Sequence, residues 1–459
     1  MSQSDSALSP TSNAGILAFS QVPSLPSPRT AWLTVAILFV YSVFAMVDRQ
    51  IMTMLVDPIR RDLGISDIQA SLLLGLSFAL FYTTIGLAMG WIADRMSRRA
   101  LIAVSVALWG AASMACGLAS NFTELFLARM LVGVGEAALG PAAYSMISDT
   151  FPRHRLSLAM SVFIMGGLAG GAIAILAGGF VVAWSVKHAS VALPIIGPLH
   201  SWRLVFFVTG LPGPFLALLV FLFREPARRG RASAQDAGSA AYLFRFLREN
   251  LALFTALCVG FGALSMIVNS TFAWSPTILS RTLHVPPVQI GLTIAGLLIF
   301  IGLPGQIATG WWVDRQQTRG DVTANLRIFL LTLPFAAASG VIALVSSNLT
   351  IFVVAMIPYY FFAMTFLGVA AAALQLITPN EIRGRISALF TMIITLIGFG
   401  AGPTLVAAIS TGLDSSGVAI GKALAIVLAG AACIAVASLA YALPRFRIAS
   451  RSMHDAEAS

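Results

Sequence analysis

Charge is scarce in this sequence: Asp, Glu, Lys and Arg make up only 10% of its 459 residues, while 58% are hydrophobic. The mean hydropathy is +0.89. A soluble domain of this size needs a polar surface, so the composition excludes one and indicates an integral membrane protein. The net charge of +10 is spread over loops and forms no basic patch interleaved with aromatic residues. This pattern argues against a nucleic-acid partner.

Side chains that support catalysis or hold metals are equally few. The three cysteines lie in apolar runs, and their spacing predicts neither a disulfide framework nor a metal site. The five histidines lie in loops or the tail without an HExxH-type pair, and no Walker-type loop provides for ATP. The pattern "GVGEAALG" looks like a dinucleotide-binding loop, but it lies inside an apolar run with no preceding strand. We therefore expect no metal, no cofactor and no enzyme activity, a membrane-embedded transferase being the competing class.

Long apolar runs occupy most of the chain. The first 29 residues lack one, so residues 1–29 predict a disordered cytoplasmic tail and not a cleavable signal peptide. Runs of about 20 or more residues, enough to cross a hydrocarbon core, then follow in twelve places. Their limits are 31–55, 69–93, 100–119, 123–148, 157–184, 203–223, 251–280, 287–312, 326–346, 350–376, 385–411 and 419–443. The sequence thus predicts an all-α membrane protein with twelve transmembrane helices.

The basic residues predict the orientation. With the N-terminus inside, the inside segments carry 20 of the 28 Lys and Arg residues and the outside segments carry 6. Because positively charged loops stay in the cytoplasm, both termini are predicted to be cytoplasmic. We expect a multi-pass protein of the inner (plasma) membrane of a bacterium. Nothing in the sequence indicates an oligomer, so we expect a monomer.

An internal repeat divides the chain into two halves. "GWIADR" at 90–95 returns as "GWWVDR" at 310–315, each at the end of the second span of its half. The predicted domains are a six-helix half at 30–223, a basic cytoplasmic linker at 224–250, a second six-helix half at 251–444 and a cytoplasmic tail at 445–459. Two parallel six-helix halves with a pathway between them are typical of a large class of secondary transporters. They favour rocking halves over the fixed pore of a channel.

Several motifs resemble a known family. "GWIADRMSRRAL" at 90–101 resembles the loop motif between helices two and three of the major facilitator superfamily, and "RMLVGVGEAALGPA" at 129–142 is similar to its fourth-helix motif. The resemblance covers the whole chain and implies the major facilitator fold with alternating access. Within the superfamily the sequence most resembles spinster-type lipid transporters, through "VDRQ", "GVGEA", "FAWSPTIL" and "RGRISALF…GFGAGP". The elements "VDR" and "SDTFP" also resemble proton-coupled organic-anion symporters of the same superfamily.

Charged residues at the predicted cytoplasmic ends of the spans are candidates for gates. A carboxylate at Asp94 or Asp314 can meet the positive end of a neighbouring helix. By resemblance, Asp94 would face span eleven and Asp314 would face span five while the inner side is closed. The other gating candidates are Arg95, Arg98, Asp149 and Arg315, and we expect the arginines of the first loop to pair with Asp149. The alternative is that these are solvated loop charges that follow the positive-inside rule.

Four ionisable residues lie deep in the apolar runs: Asp48 and Arg49 in span one, and Arg129 and Glu136 in span four. The seven-residue spacing of Arg129 and Glu136 places both on one helix face. Intramembrane ionisable residues usually serve function. We therefore expect one neutral cluster of two acids and two bases that lines the pathway. A static ion-pair network that only fixes the packing of spans one and four is the alternative.

Each member of this cluster has an expected role. Glu136 is the candidate for the proton-titrating group, and Asp48 orients an arginine or shares the proton. Arg49 and Arg129 are the candidates for contact with a substrate head group. A proton on Glu136 would free an arginine for an anion, which favours movement of proton and anion together; a cationic or zwitterionic substrate would instead compete with the proton, which favours exchange.

The second half carries no comparably deep charge and offers aromatic and neutral polar side chains. Asn269, Trp274, Tyr359 and Tyr360 are its candidates for substrate contact, although membrane aromatics often face lipid or neighbouring helices. A charged half opposite an uncharged half suits an amphipathic molecule. The sequence thus predicts a proton-coupled secondary active transporter of a lipid, lysolipid or sphingolipid-like substrate. A proton-coupled symporter of small organic anions is the alternative.

Overall fold

The computed structural model describes residues 26–93, 95–188, 190–193, 197–226, 240–379, 382–414 and 419–458. Most of the expected N-terminal tail, Asp94 and the middle of the basic linker lie outside the described residues. Within the described ranges, twelve helices are long and apolar enough to cross a membrane. The predicted fold class and number of spans are therefore confirmed.

Half of the spans are uninterrupted α-helices. They are span one Pro28–Met54, span three Arg98–Leu118, span five Arg153–Lys187, span seven Leu251–Arg281, span nine Ala324–Val345 and span twelve Ile420–Ala458. Polar residues begin several helices: the side chains of Ser27, Ser97 and Asn121 each accept a hydrogen bond from a backbone N–H of the first turn. Such caps satisfy donors that have no partner inside the helix.

The other spans change helix type or break. They are span two (α Asp67–Ser71, π Leu72–Leu76, α Ser77–Ala93), span four (Phe122–Glu136, Leu139–Thr150), span six (Ser201–Gly210, Pro212–Leu216, 3-10 Ala217–Leu222), span eight (Pro287–Leu297, π Leu298–Gly302, Leu303–Thr318), span ten (Leu349–Ala363, Phe366–Ile377) and span eleven (Arg383–Thr395, π Leu396–Ala401, Gly402–Leu413). Pro304 and Pro403 follow two of the π segments. Because proline has no N–H for the α-helical bond, it favours such a change of helix type.

Short elements connect the spans at both ends of the molecule. A helix at Val56–Leu63 follows span one, and strands β1 (Ser190–Leu193) and β2 (Gly197–His200) form an antiparallel hairpin between spans five and six. The linker contains a helix at Ala240–Glu249. Hydropathy detects only long apolar runs, so the hairpin and the linker helix were not predicted. We call the two ends of the molecule the hairpin side and the linker side.

Each half packs mainly within itself. Span one lies along span five, and span three packs between spans four and six. In the second half, span seven lies along span twelve, and span nine contacts spans ten and twelve. The two halves meet where span two crosses span eleven and span five crosses span eight. These two crossings frame the space between the halves, where the candidate site lies.

Candidate functional site

Arg49 of span one and Glu136 of span four form an ion pair at the boundary between the halves. Arg49 Nη2 donates to Glu136 Oε2 at 2.5 Å, and the side chains are 14% and 1% exposed. The Arg49 guanidinium carbon also lies 4.1 Å from the centre of the Phe78 ring and 5.0 Å from that of Tyr82. Such cation–π contacts stabilise a cation that is removed from water. The pair thus holds Arg49 in one orientation while part of it stays accessible.

Asp48 and Arg129 form a second pair, which is fully buried in the first half. Arg129 Nη1 lies 3.5 Å from Asp48 Oδ2. Ser113 Oγ donates to Asp48 Oδ1, and Thr209 Oγ1 donates to the same oxygen at 3.3 Å. These donors belong to spans three and six, so Asp48 points into the bundle of the first half. A buried pair of this kind is strongly destabilised when only one partner is removed.

The four deep residues therefore form two ion pairs, of which only the Arg49–Glu136 pair lies at the boundary between the halves. Successive helix residues point about 100° apart. Asp48 consequently faces the interior of the first half, while Arg49 faces the boundary between the halves. The Arg129 guanidinium is fully buried beside Asp48 in this conformation, so its expected contact with a substrate head group would need another conformation and stays a prediction. Of the two deep arginines, Arg49 is the accessible one.

A small cavity lies between the halves beside Arg49. Its free volume is about 10 Å³, the space of one water molecule. The first half lines it with Arg49, Gln50, Thr53 and Leu74, and the second half with Asn269, Phe272, Ala273, Phe399 and Pro403. Asn269 is thus placed across from Arg49, and its amide nitrogen donates to Ser265 O at 2.8 Å. The cavity must widen before it can hold a substrate.

Three aromatic residues that we expected to contact substrate are packed elsewhere. Trp274 is fully buried, and its indole N–H donates to Pro403 O at 3.0 Å. The Tyr359 hydroxyl donates to Thr271 Oγ1 at 2.8 Å, and Tyr360 is 1% exposed. In this conformation these three side chains pack inside the second half and do not line the cavity, so their direct contact with substrate stays a prediction. Their neighbour Phe272 lines the cavity instead.

An ion-pair cluster joins the halves on the hairpin side. Arg281, the last residue of span seven, donates to Asp57 Oδ1 from Nε at 2.8 Å and from Nη2 at 2.5 Å. Its Nη1 donates to Asp67 Oδ2 at 3.0 Å. Arg60 Nε lies 3.0 Å from Asp67 Oδ1. Asp57, Arg60 and Asp67 belong to the first half, so Arg281 links the two halves directly. We call these four residues the hairpin-side cluster.

Sequence reasoning missed the hairpin-side cluster. Arg281 was counted only among the six basic residues of the outside segments. The available signal was charge complementarity: Asp57 follows span one and Asp67 begins span two, on the side where span seven ends at Arg281. A cation in one half and two acids in the other, at the same membrane level, indicate a contact between the halves.

Close backbone crossings reinforce the closure of the hairpin side. Span two meets span eleven at their π segments, where a Cβ added at Gly75 would overlap the Phe399 carbonyl oxygen. Span five meets span eight where a Cβ at Gly179 would lie 2.6 Å from Pro287 O. Only glycine permits backbones to approach this closely. The hairpin side is therefore closed by backbone contact as well as by charge.

Replacement of Gly179 by Ala is expected to open the hairpin side, because the added methyl group meets backbone that cannot move aside. Gly310→Ala is the matched control, since a Cβ there meets no atom within 4 Å. Double electron–electron resonance between spin labels at the exposed positions Ser66 and Ser347 should show a longer distance in the Gly179→Ala variant and no change in the control. Exposed Cys433 would first be replaced by Ser. Equal distances in both variants would contradict this account.

A second charged cluster lies on the linker side within the first half. The side chain of Arg98 is fully buried; its Nη1 donates to Asp149 Oδ2 and, at 2.9 Å, to Ser145 Oγ. Its Nε donates to Glu225 Oε1 at 3.2 Å, and its Nη2 donates to Pro226 O at 2.7 Å. The predicted Arg98–Asp149 pair is present. Glu225 was not predicted, although its position just after span six places it at the same membrane level.

The remaining gating candidates have different positions. Asp94 lies outside the described residues. Arg95 is exposed. Asp314 is also exposed and forms no ion pair with any described residue, while the Arg315 guanidinium carbon lies 5.2 Å from the centre of the Trp311 ring. The expected contact of Asp314 with span five is therefore not made by the described residues in this conformation, which is closed on the hairpin side.

Glu225 makes the linker-side cluster sensitive to acid. Burial raises the pKa of Glu225, but hydrogen bonds from Ser97 Oγ and from the Arg98 backbone and side chain hold it below its ordinary value. Its ionised form therefore stabilises the fold above the ordinary pKa, and this contribution is lost as the pH falls through the lowered pKa. Glu225→Gln should lower the melting temperature at pH 7, with a difference from wild type that shrinks below about pH 4. A thermal unfolding series in detergent measures this, with exposed Glu249→Gln as the control; a difference that is constant with pH would contradict it.

The comparison with known families identifies the class of protein. The chain matches the Major Facilitator Superfamily over residues 37–403, which is most of its length. The chain therefore belongs to the major facilitator superfamily, as the motifs predicted. Members of this superfamily are transporters, in agreement with the prediction of transport instead of catalysis.

Individual relatives are similar over most of the chain. An MFS-type efflux pump of Mycolicibacterium smegmatis is 28% identical over 424 residues, which cover 90% of this chain and 94% of the relative. A gallate transporter of Pseudomonas putida is 26% identical over 336 residues, covering 67% and 71%. Protein spinster of Drosophila melanogaster is 25% identical over 419 residues, covering 86% and 65%.

A solved structure shows the same fold. The crystal structure of a bacterial homologue of the human lysosomal transporter Spinster, in an inward-facing and unoccupied conformation, has a TM-score of 0.73 and 24% identity. The match covers 93% of this chain and 98% of that chain. Together with the motifs and the spinster relative, it identifies this protein as a multi-pass secondary transporter of the major facilitator superfamily that is similar to spinster-type members.

Proposed function

We propose that the protein moves an amphipathic lipid or lysolipid-like molecule, with protons as the coupling ion. One observation carries the proposal: Arg49 is paired with the buried carboxylate of Glu136 and also lines the cavity between the halves. A substrate head group that binds Arg49 and a proton that binds Glu136 would thus act on the same ion pair. The basic loops further support a cytoplasmic location for the linker side and both termini.

The Arg49–Glu136 pair provides a physical route to coupling. Glu136 Oε2 accepts from Arg49, while Oε1 has no hydrogen-bond partner among the described residues. A proton on Oε1 would neutralise the carboxylate and weaken the charge-assisted bond to Arg49. An anionic head group would then satisfy Arg49 in its place. By linkage, a bound anion that draws Arg49 away would in turn favour the proton on Glu136.

The two faces of the cavity suit an amphipathic substrate. The cation that lines the cavity, Arg49, belongs to the first half. The lining residues Phe272, Phe399 and Pro403 of the second half are uncharged. An acyl chain could follow these residues when the halves separate, because burial of its methylene groups is favourable. The fully buried Asp48–Arg129 pair has no contact with the cavity, and we assign it the role of holding spans one and four in register.

A small organic anion is the second candidate substrate. The observation in its favour is that gallate is the named substrate of a relative with 26% identity. Arg49 would serve equally as the partner of a carboxylate. In this alternative Phe272 and Phe399 contact the ring or short chain of the anion instead of an acyl tail.

Transport by purified protein in liposomes separates the two candidates. Fluorescent lysolipid and radiolabelled gallate would be followed in parallel, each with and without an imposed pH gradient. The proposal predicts gradient-dependent lysolipid movement that protein-free liposomes lack. Gallate uptake without lysolipid movement would replace the proposal with organic-anion symport. Equal movement of the transported substrate with and without the pH gradient would refute proton coupling.

A further inference from the structure

An open groove runs along the outer surface of the second half, away from the cavity between the halves. Its volume is about 740 Å³. It is lined by Arg248, Glu249, Leu251, Ala252, Thr255, Ala256, Val259, Ala437, Ser438 and Tyr441. The lining belongs to the end of the linker helix, to span seven and to span twelve. Because these elements face the bilayer at the linker side, the groove opens toward lipid.

The shape of the groove suits a hydrocarbon chain. Small side chains at Ala252, Ala256, Ala437 and Ser438 leave space between spans seven and twelve. The spans close together just beyond, where a Cβ at Gly260 would lie 2.8 Å from the Leu439 side chain. From Leu251 to Gly260 the helix rises about 14 Å. This length is close to half of a hydrocarbon core, which is about 30 Å thick. The groove therefore spans one leaflet.

The mouth of the groove is cationic. Arg248 lines it, and its neighbour Glu249 is paired with Arg245 at 3.0 Å. Arg445 stacks on the lining residue Tyr441, with its guanidinium carbon 3.8 Å from the ring centre. Neither Arg248 nor Arg445 forms an ion pair with any described residue. Two guanidinium groups beside an apolar groove complement a phosphate that is attached to acyl chains.

The linker helix places this mouth at the membrane surface. Phe244 is 71% exposed and Tyr242 is 40% exposed, while Leu243, Phe246 and Leu247 pack against the protein. Large exposed aromatic residues beside arginines are typical of a helix that lies in the interface of a bilayer. Arg248, at the end of this helix, thus lies at the level of the lipid head groups.

We propose that the groove between spans seven and twelve binds an anionic glycerophospholipid of the linker-side leaflet. Its phosphate contacts Arg248 and Arg445, and one acyl chain lies along Ala252, Ala256 and Ala437. The groove belongs to the second half alone and shares no residue with the cavity beside Arg49. The bound lipid is therefore distinct from a transported substrate, and the proposal does not depend on which substrate is moved.

Native mass spectrometry of delipidated protein in detergent tests this site with phosphatidylglycerol and phosphatidylcholine of identical acyl chains. Wild type should bind phosphatidylglycerol more tightly. The double variant Arg248→Ala/Arg445→Ala should weaken that binding roughly thirty-fold, as expected for two arginines at a membrane surface. The matched double variant Arg447→Ala/Arg451→Ala removes two other charges and should bind as wild type does. Ala437→Trp, which fills the groove, should also weaken binding. Melting curves would verify that each variant is folded.

Several results would overturn the proposal. Equal binding of the two lipids by wild type would show that no anionic site exists. An equal loss in both double variants would show a diffuse charge effect instead of this groove. Unchanged binding by Ala437→Trp would exclude the acyl chain from the groove. Displacement of phosphatidylglycerol by millimolar glycerol 3-phosphate would show that the arginines bind a free phosphate and not a lipid.

Discussion

Glu136→Gln is expected to abolish substrate accumulation driven by a pH gradient. The amide cannot exchange a proton, so Arg49 is released permanently from its 2.5 Å ion pair and the substrate no longer controls a titratable group. Exchange of labelled for unlabelled substrate without a gradient should continue, because Arg49 remains available for a head group. In liposomes, gradient-driven uptake should fall to the level of protein-free vesicles while exchange persists.

The matched control for this prediction is Glu124→Gln. Glu124 lies near the start of the same span, where it is exposed and accepts a hydrogen bond from the Ser120 backbone N–H. An amide oxygen preserves that bond, so transport should be unchanged. Retention of gradient-driven uptake by Glu136→Gln would assign proton coupling to another residue. Loss of exchange as well as uptake would show that the Arg49–Glu136 pair only maintains the structure of the site.

Arg281→Ala is expected to open the hairpin side. It leaves Asp57 and Asp67 close together without the cation that joins them to the second half. Loss of charge-assisted hydrogen bonds in a largely buried position costs about 2 kcal/mol, which shifts a two-state equilibrium roughly thirty-fold. The fraction of molecules with a longer distance between spin labels at Ser66 and Ser347 should therefore increase. Transport should slow, since alternating access needs both closed states.

An ion pair on the same side offers a sharp control for Arg281. Arg203 Nη2 lies 3.2 Å from Asp62 Oδ2, and both residues belong to the first half. Arg203→Ala therefore removes a similar charge without breaking a contact between the halves. It should leave the label distance unchanged. A longer distance in both variants would mean that general loss of charge, and not the link between the halves, opens this side.

Much of the fold follows from hydropathy alone. A run of about 20 apolar residues has few alternatives to a membrane-spanning helix, because every backbone polar group must be satisfied internally. The repeat of "GWIADR" and "GWWVDR" then indicated two halves of six helices. The short hairpin between spans five and six carries neither signal, so only the structure shows it. The same is true of the linker helix at Ala240–Glu249, whose alternation of arginines and aromatics is amphipathic and not apolar.

The candidate site was predicted less completely, because composition does not fix the direction of a side chain. Asp48 and Arg49 are adjacent in sequence, yet one points into the first half and the other toward the cavity. Trp274 and Phe272 differ in the same way: the tryptophan N–H is bonded to Pro403 O, while the phenylalanine ring lines the cavity. Such directions depend on how neighbouring spans are rotated. That rotation is set by packing across many residues distant in sequence.

Substrate-driven proton movement tests the proposed coupling most directly. Liposomes with an internal pH-sensitive dye would receive substrate on one side without an imposed pH gradient. Wild type should carry protons together with the substrate and change the internal pH, while Glu136→Gln should exchange labelled for unlabelled substrate without any pH change. Proton movement of equal size through Glu136→Gln, or substrate movement through wild type with no pH change, would contradict coupling at the Arg49–Glu136 pair.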